Sequence, residues 1–136
     1  MRFLKLIGTT IVAVCALSVS PVFAGVVDTL QDEYRATGAG PFSATEGERQ
    51  WKLEHKSAKD GKDRSCQACH GSDLKASGKH AKTGKVIDPL APSANKERLT
   101  DIKFINKWFK RNCKWTLGRT CTAQEKGDFL EYLRGQ

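Results

Sequence analysis

After Met1 the 136-residue sequence contains no methionine, so no thioether sulfur of that kind is available to any site further along. It has no internal repeat and no low-complexity tract, which excludes architectures built by stacking a fixed period. No stretch alternates apolar and polar residues convincingly, so a sheet-based fold is not expected. The one sustained apolar run, residues 6–19, is shorter than the roughly 20 residues that cross a bilayer, so a stable membrane anchor is not expected either.

What surrounds that run is informative. Arg2 and Lys5 precede it, and Pro21-Val22-Phe23-Ala24 follows with small residues where a signal peptidase reads. Residues 1–24 are therefore expected to be a secretory signal peptide, carrying Cys15 away with it, and the mature protein to be exported to a bacterial periplasm. The remaining residues 25–136 suffice for one domain with a modest core. Losing residues 1–24 removes two basic and no acidic side chains and leaves 21 basic against 15 acidic, a net charge of +6. Such a domain could meet acidic proteins, anionic membranes or nucleic acid, and export argues against nucleic acid. Its thin apolar content calls for a staple or a cofactor.

Helical signals recur along the chain. Val27, Leu30 and Tyr34 share a face in a helix expected over 27–37, ended by Gly38-Ala39-Gly40-Pro41. Ser43 and Glu46 form a capping box for a helix running to about His55, with Gly47 and Trp51 one turn apart. Residues 56–65 read as a polar loop, and residues 75–92 as irregular chain punctuated by Gly78, Gly84, Pro89 and Pro92. Thr100 is expected to cap a helix presenting Ile102, Ile105, Trp108 and Phe109 on one side. A second capping box, Thr122 to Glu125, opens a last helix with Phe129, Leu130, Tyr132 and Leu133. The fold class expected is all-α with long irregular loops.

Cys66-Gln67-Ala68-Cys69-His70 is a c-type haem attachment motif. Two thiols three residues apart in one helical turn reach the two vinyl groups of a porphyrin, and the next residue offers an imidazole to the iron. A redox dithiol would want a βαβ setting, and a zinc site would want a second cysteine pair at short spacing; neither is present. One covalent haem c, held by Cys66, Cys69 and His70, also answers the thin core. Its faces would take the Ile102, Trp108, Phe129 and Leu133 stripes, at ~25 cal/mol per Å² of apolar surface buried. With Cys66 and Cys69 used as thioethers, an even count in an oxidising compartment leaves Cys113 and Cys121 to pair. That bridge would close a nine-residue loop and stabilise by about 2–3 kcal/mol in the chain-entropy account.

The sixth iron position is open in this reading. Methionine is excluded, leaving His55, His80, a lysine, Asn112 or nothing. For each histidine a solvated side chain is the stronger reading. Asn112, expected at the end of its helix just before Cys113, serves as well for a helix cap as for a ligand.

Cys66-Gln67-Ala68-Cys69-His70-Gly71, Thr83-Gly84-Lys85, Pro89-Leu90-Ala91-Pro92-Ser93-Ala94, Lys107-Trp108, Arg111-Asn112-Cys113, Gly118-Arg119 and Cys121-Thr122 together resemble the sphaeroides haem protein (SHP) family. These are oxygen-binding monohaem cytochromes c of the class I fold. The likeness runs over most of residues 27–136 and is densest after Cys66. It implies helices wrapped around one haem, Asn112 as the sixth ligand of ferric iron, and a Cys113–Cys121 disulfide. It also implies that the loop 89–92 supplies the carbonyl accepting from the other ring nitrogen of His70. Residues 52–64 differ from the family in length and charge, and His80 is a departure that keeps a histidine ligand in play.

A neutral amide is a weak ligand for ferrous iron, so reduction is expected to release Asn112 and open the iron to O2, NO or CO, as the resemblance also implies. Lys52, Lys56, Lys59, Lys62 and Arg64 before the motif, with Lys75, Lys79, Lys82 and Lys85 after it, would form a positive rim that steers an acidic redox donor. The resemblance implies a dihaem cytochrome c in that role. The alternatives are a plain electron carrier with a permanently bound ligand, and a true enzyme, for which no second metal site or acid–base pair is evident.

Overall fold

In the computed structural model, residues 25–136 are described, and the expected signal peptide over 1–24 lies outside them. Five helices appear in the order expected: α1 (Val26–Ala36), α2 (Ala44–Lys52), α3 (Gln67–His70), α4 (Ile102–Thr116) and α5 (Ala123–Arg134). Contrary to the strand-free expectation, two antiparallel ladders of two residues per strand interrupt them. They are β1 (His55–Lys56) with β2 (Asp63–Arg64), and β3 (Gly78–Lys79) with β4 (Val86–Ile87). Strands this short carry no alternating pattern and are held by their flanking turns. No helix among the described residues is long and apolar enough to cross a membrane.

The helix ends follow local chemistry with two corrections. Ser43 accepts from the Glu46 N–H at 3.2 Å, but the Ser43 N–H goes to Asp128 at 2.8 Å while Glu46 turns outward to Arg49 and Gln50. Half of that capping box is thus taken over by a tertiary contact. At α4 the cap is Asp101, accepting from Phe104 N–H at 3.0 Å, because Thr100 spends its hydroxyl on the Glu97 carbonyl. The Thr122–Glu125 box is complete.

The scaffold turns on the crossing of α2 and α5. Gly47 has no side chain because the Asp128 backbone carbonyl occupies the space where a Cβ would stand, with Tyr132 Cβ 2.8 Å away. One turn on, Trp51 is buried against Phe129 and Tyr132. Two apolar clusters result. One joins Val27, Leu30, Tyr34, Ile105 and Leu130. The other joins Trp51, Leu74, Ala91, Phe129, Tyr132 and Leu133 with the buried Cys113 and Cys121, and Cys66 packs against it.

Candidate haem site

The motif is built on a single helical turn. Cys69 and His70 N–H groups both point to the Cys66 carbonyl, and Gly71 closes the turn onto Gln67 with φ of 78°. That positive φ needs glycine and sends the chain sharply away after His70. Residues i, i+3 and i+4 of a helical turn share one side, so Cys66, Cys69 and His70 are presented together. The two thiols are free, whereas Cys113 and Cys121 are joined as a disulfide with Cα atoms 5.5 Å apart.

Burial sets the chemistry of these groups. Desolvation, with the nearby positive charge of Arg98 adding to it, pushes His70 down to about 4, so its imidazole is neutral and has a lone pair to offer. Burial likewise pushes the Cys66 thiol up to about 12. The His70 ring lies 5.3 Å from that of Trp51, whose buried indole Nε1 has no partner among the described residues. Two free thiols, a neutral imidazole beside them and an aromatic wall of Trp51, Phe129 and Phe109 fit a covalently held, planar apolar group.

Neighbouring segments hold the motif in place through contacts that sequence reasoning missed. Gly78 of β3 lies so close that a Cβ there would meet the Cys69 carbonyl oxygen and stand 2.9 Å from His70 Cα. The Leu74 carbonyl accepts from both Leu90 and Ala91 N–H, tying the proline loop to the motif. In the loop expected to serve His70, the Pro89 carbonyl accepts from Arg98 Nε at 2.8 Å and Asn95 Nδ2 at 3.4 Å.

Asn112 stands inside α4 rather than at its end, since the helix continues through Cys113 to Thr116 and is capped at Leu117. The cap reading of Asn112 is thereby removed. Its side chain is exposed and makes no hydrogen bond among the described residues, with Trp108 one turn before it and Trp115 one turn after. Trp108, expected to pack on the haem, is edge-on to Phe104 and flanked by Lys107 and Arg111, with 39% of its surface uncovered by protein. A cleft of about 350 Å³ brings Trp115 together with Cys69, Ala81, the cations Lys59, Lys62, Arg64 and Lys82 and the carboxylates Asp60 and Asp63.

Of the two histidines, His80 is the one beside the motif: the next residue, Ala81, donates its N–H to Cys69 Sγ at 3.3 Å. His80 uses Nδ1 to accept from the Lys82 and Thr83 N–H groups at 3.2 Å, shaping the β3–β4 turn, and lies 5.9 Å from the Trp115 ring. His55 lines a separate cleft of about 300 Å³ with Leu117, Arg119 and Phe129, which none of the three motif residues borders. Of the expected positive rim, Lys52 is paired with Glu48 and Arg64 is turned inward.

A family model described as "Domain of unknown function (DUF1924)" matches residues 37–133. The structure of oxidized SHP, described as an oxygen-binding cytochrome c, superposes with a TM-score of 0.73 at 36% identity, covering 84% of this chain and 100% of that one. The chain belongs to this family, the SHP-type cytochromes c. "Cytochrome c-type protein SHP" of Cereibacter sphaeroides is 49% identical over 72 residues, which are 53% of this chain and 55% of that protein. "Cytochrome c''" of Methylophilus methylotrophus is 41% identical over 73 residues, 54% of this chain and 51% of that protein. The chain thus spans about half the length of these curated relatives in the matched alignments. As an SHP-family member it is a monohaem cytochrome with the class I fold and haem c as its cofactor.

Proposed function

We propose that the mature chain, residues 25–136, is a periplasmic redox protein whose distal ligand leaves on reduction and admits a diatomic gas. Cys66 and Cys69 would hold the haem as thioethers, and His70 would be the proximal ligand, its imidazole already neutral. Asn112 would be the distal ligand of the ferric form. The group itself would supply a one-electron couple. A neutral amide oxygen suits the harder ferric state and holds the softer ferrous state poorly, so Asn112 would depart on reduction and O2, NO or CO could take its place.

The observation that carries this reading is the place of Asn112. It stands inside α4, one turn from Trp115, which shares a cleft with Cys69. The SHP structure is described as that of an oxygen-binding cytochrome c, which agrees with a gas as the sixth ligand. Electrons would enter from an acidic redox protein such as a dihaem cytochrome c, drawn by Lys59, Lys62 and Lys82 around the cleft that Cys69 borders.

The test is the absorption spectrum of the anaerobically reduced cytochrome before and after carbon monoxide, alongside an Asn112→Val variant. A high-spin ferrous spectrum that shifts fully with CO, and a ferric variant that becomes five-coordinate or water-bound, are the expected results. A low-spin ferrous form indifferent to CO would instead mark a plain electron carrier with a permanent ligand, His80 or His55 being the candidates.

A further inference from the structure

The charge run before the motif contains one cation that does not face solvent. The Arg64 side chain is only 12% exposed. Its guanidinium carbon lies 3.7 Å from the centroid of the Trp115 ring, and one terminal nitrogen donates to the Trp115 backbone carbonyl at 2.9 Å. The other terminal nitrogen is held by Asp60 at 2.8 Å. A planar guanidinium can stack on an indole and bond a carbonyl at the same time, which an ammonium cannot.

The two ends of this contact belong to different parts of the site. Arg64 is two residues before Cys66, at the end of β2. Trp115 is three residues after Asn112, on the last turn of α4. The same turn carries Cys113, whose disulfide ties it to Cys121, the residue before the Thr122 cap of α5. The disulfide thus restrains α4 against α5, while Arg64 restrains it against the attachment segment. The contact with His80 on Trp115 adds the β3–β4 turn to the same group.

We propose that Arg64 is the positioning residue for Asn112: by gripping both face and backbone of Trp115, it sets the register of α4 against the Cys66–His70 turn. The proposal rests on the reading of Asn112 as distal ligand. Arg64 touches neither iron nor gas; it decides how well the amide competes for the ferric axial position. Loosening the grip should let external ligands win that competition more easily, without removing the haem.

The experiment compares holo Arg64→Gln, Arg64→Lys, Trp115→Leu and Asn112→Val variants by ferric absorption spectrum and by titration with imidazole. Arg64→Gln is expected to retain covalent haem, show a mixed ferric spectrum with a new high-spin component, and bind imidazole about tenfold more tightly. Arg64→Lys should not restore the native spectrum, since charge alone is not what is lost. Trp115→Leu, which removes the stacked ring and keeps the arginine, should give the same shift if Arg64→Gln does not assemble. Native spectra and imidazole affinity in the assembled Arg64 or Trp115 variants, with Asn112→Val altered, would overturn the inference and leave the ligand reading standing. An unaltered Asn112→Val spectrum would overturn both.

Discussion

Gly78 and Cys69 meet backbone to backbone: the space where a Cβ on Gly78 would stand is filled by the Cys69 carbonyl oxygen, with His70 Cα 2.9 Å away. Neither obstacle is a flexible side chain, so one of the two segments must shift to admit even a methyl group. Gly78→Ala is expected to cost about 1–3 kcal/mol, the usual penalty of overpacking. A thermal melt of the holo protein reads the loss. An unchanged melting temperature would mean that the β3–β4 hairpin does not press on the attachment turn.

Glu125 lends itself to a pH test. A side-chain bond from Arg119 holds its carboxyl well below the usual range, from 4.5 to about 2, with the Thr122 N–H also donating to it. A carboxyl lowered by folding contributes stability that is fully present above pH 4.5 and is lost as pH falls toward 2. Glu125→Gln removes the charge and weakens the reciprocal cap of α5, which should cost about 1 kcal/mol at neutral pH. Urea titrations at pH 7 and pH 3 should show the wild-type advantage over the variant shrinking at the lower pH. A constant difference would place the effect elsewhere.

Much of this was legible locally. The thiols and imidazole of the motif, the Thr122 cap, the Gly47–Trp51 face and the pairing of Cys113 with Cys121 all follow from short spacings or from a cysteine count. What was not legible depended on choices between equivalent local options. Thr100 and Asp101 are adjacent cap candidates, and the turn before them decides: the Glu97 carbonyl takes the Thr100 hydroxyl and leaves the cap to Asp101. Asn112 looked equally suited to end a helix, but Cys113 is buried by the same turn, so α4 runs on. Arg64 is indistinguishable from its lysine neighbours in a charge run, and its inward turn depends on where the fold puts Trp115. Gly78 reads as loop punctuation, because its crowding comes from a segment eight residues earlier in the chain.

The Cys113–Cys121 bridge makes a separable claim about the same turn. Removing it as a Cys113→Ser, Cys121→Ser pair frees a short loop and should lower stability by about 2–3 kcal/mol. It should also slow the return of Asn112 after reoxidation, because α4 then loses its tether to α5. Stopped-flow reoxidation, followed at the low-spin ferric band, measures that return. Unaltered kinetics in a measurably destabilised double variant would confine the disulfide to a stability role.

Salt distinguishes a steering rim from a merely solvated basic surface. Lys59, Lys62 and Lys82 share a cleft with Cys69, so their charges lie where electrons would pass toward the haem. Exposed charges act over a Debye length of about 10 Å at 0.1 M salt, and the attraction of an acidic donor should fade as that length shrinks. The second-order reduction rate by an acidic cytochrome should therefore drop as ionic strength rises. Lys59→Glu, Lys62→Glu and Lys82→Glu combined should slow reduction at low salt by about tenfold or more and flatten the salt dependence. Reversing Lys103, Lys107 and Lys110 on α4 instead serves as the control, since these residues do not border the cleft. Equal slowing by both sets would mean that only net charge matters, and the rim would then have no steering role of its own.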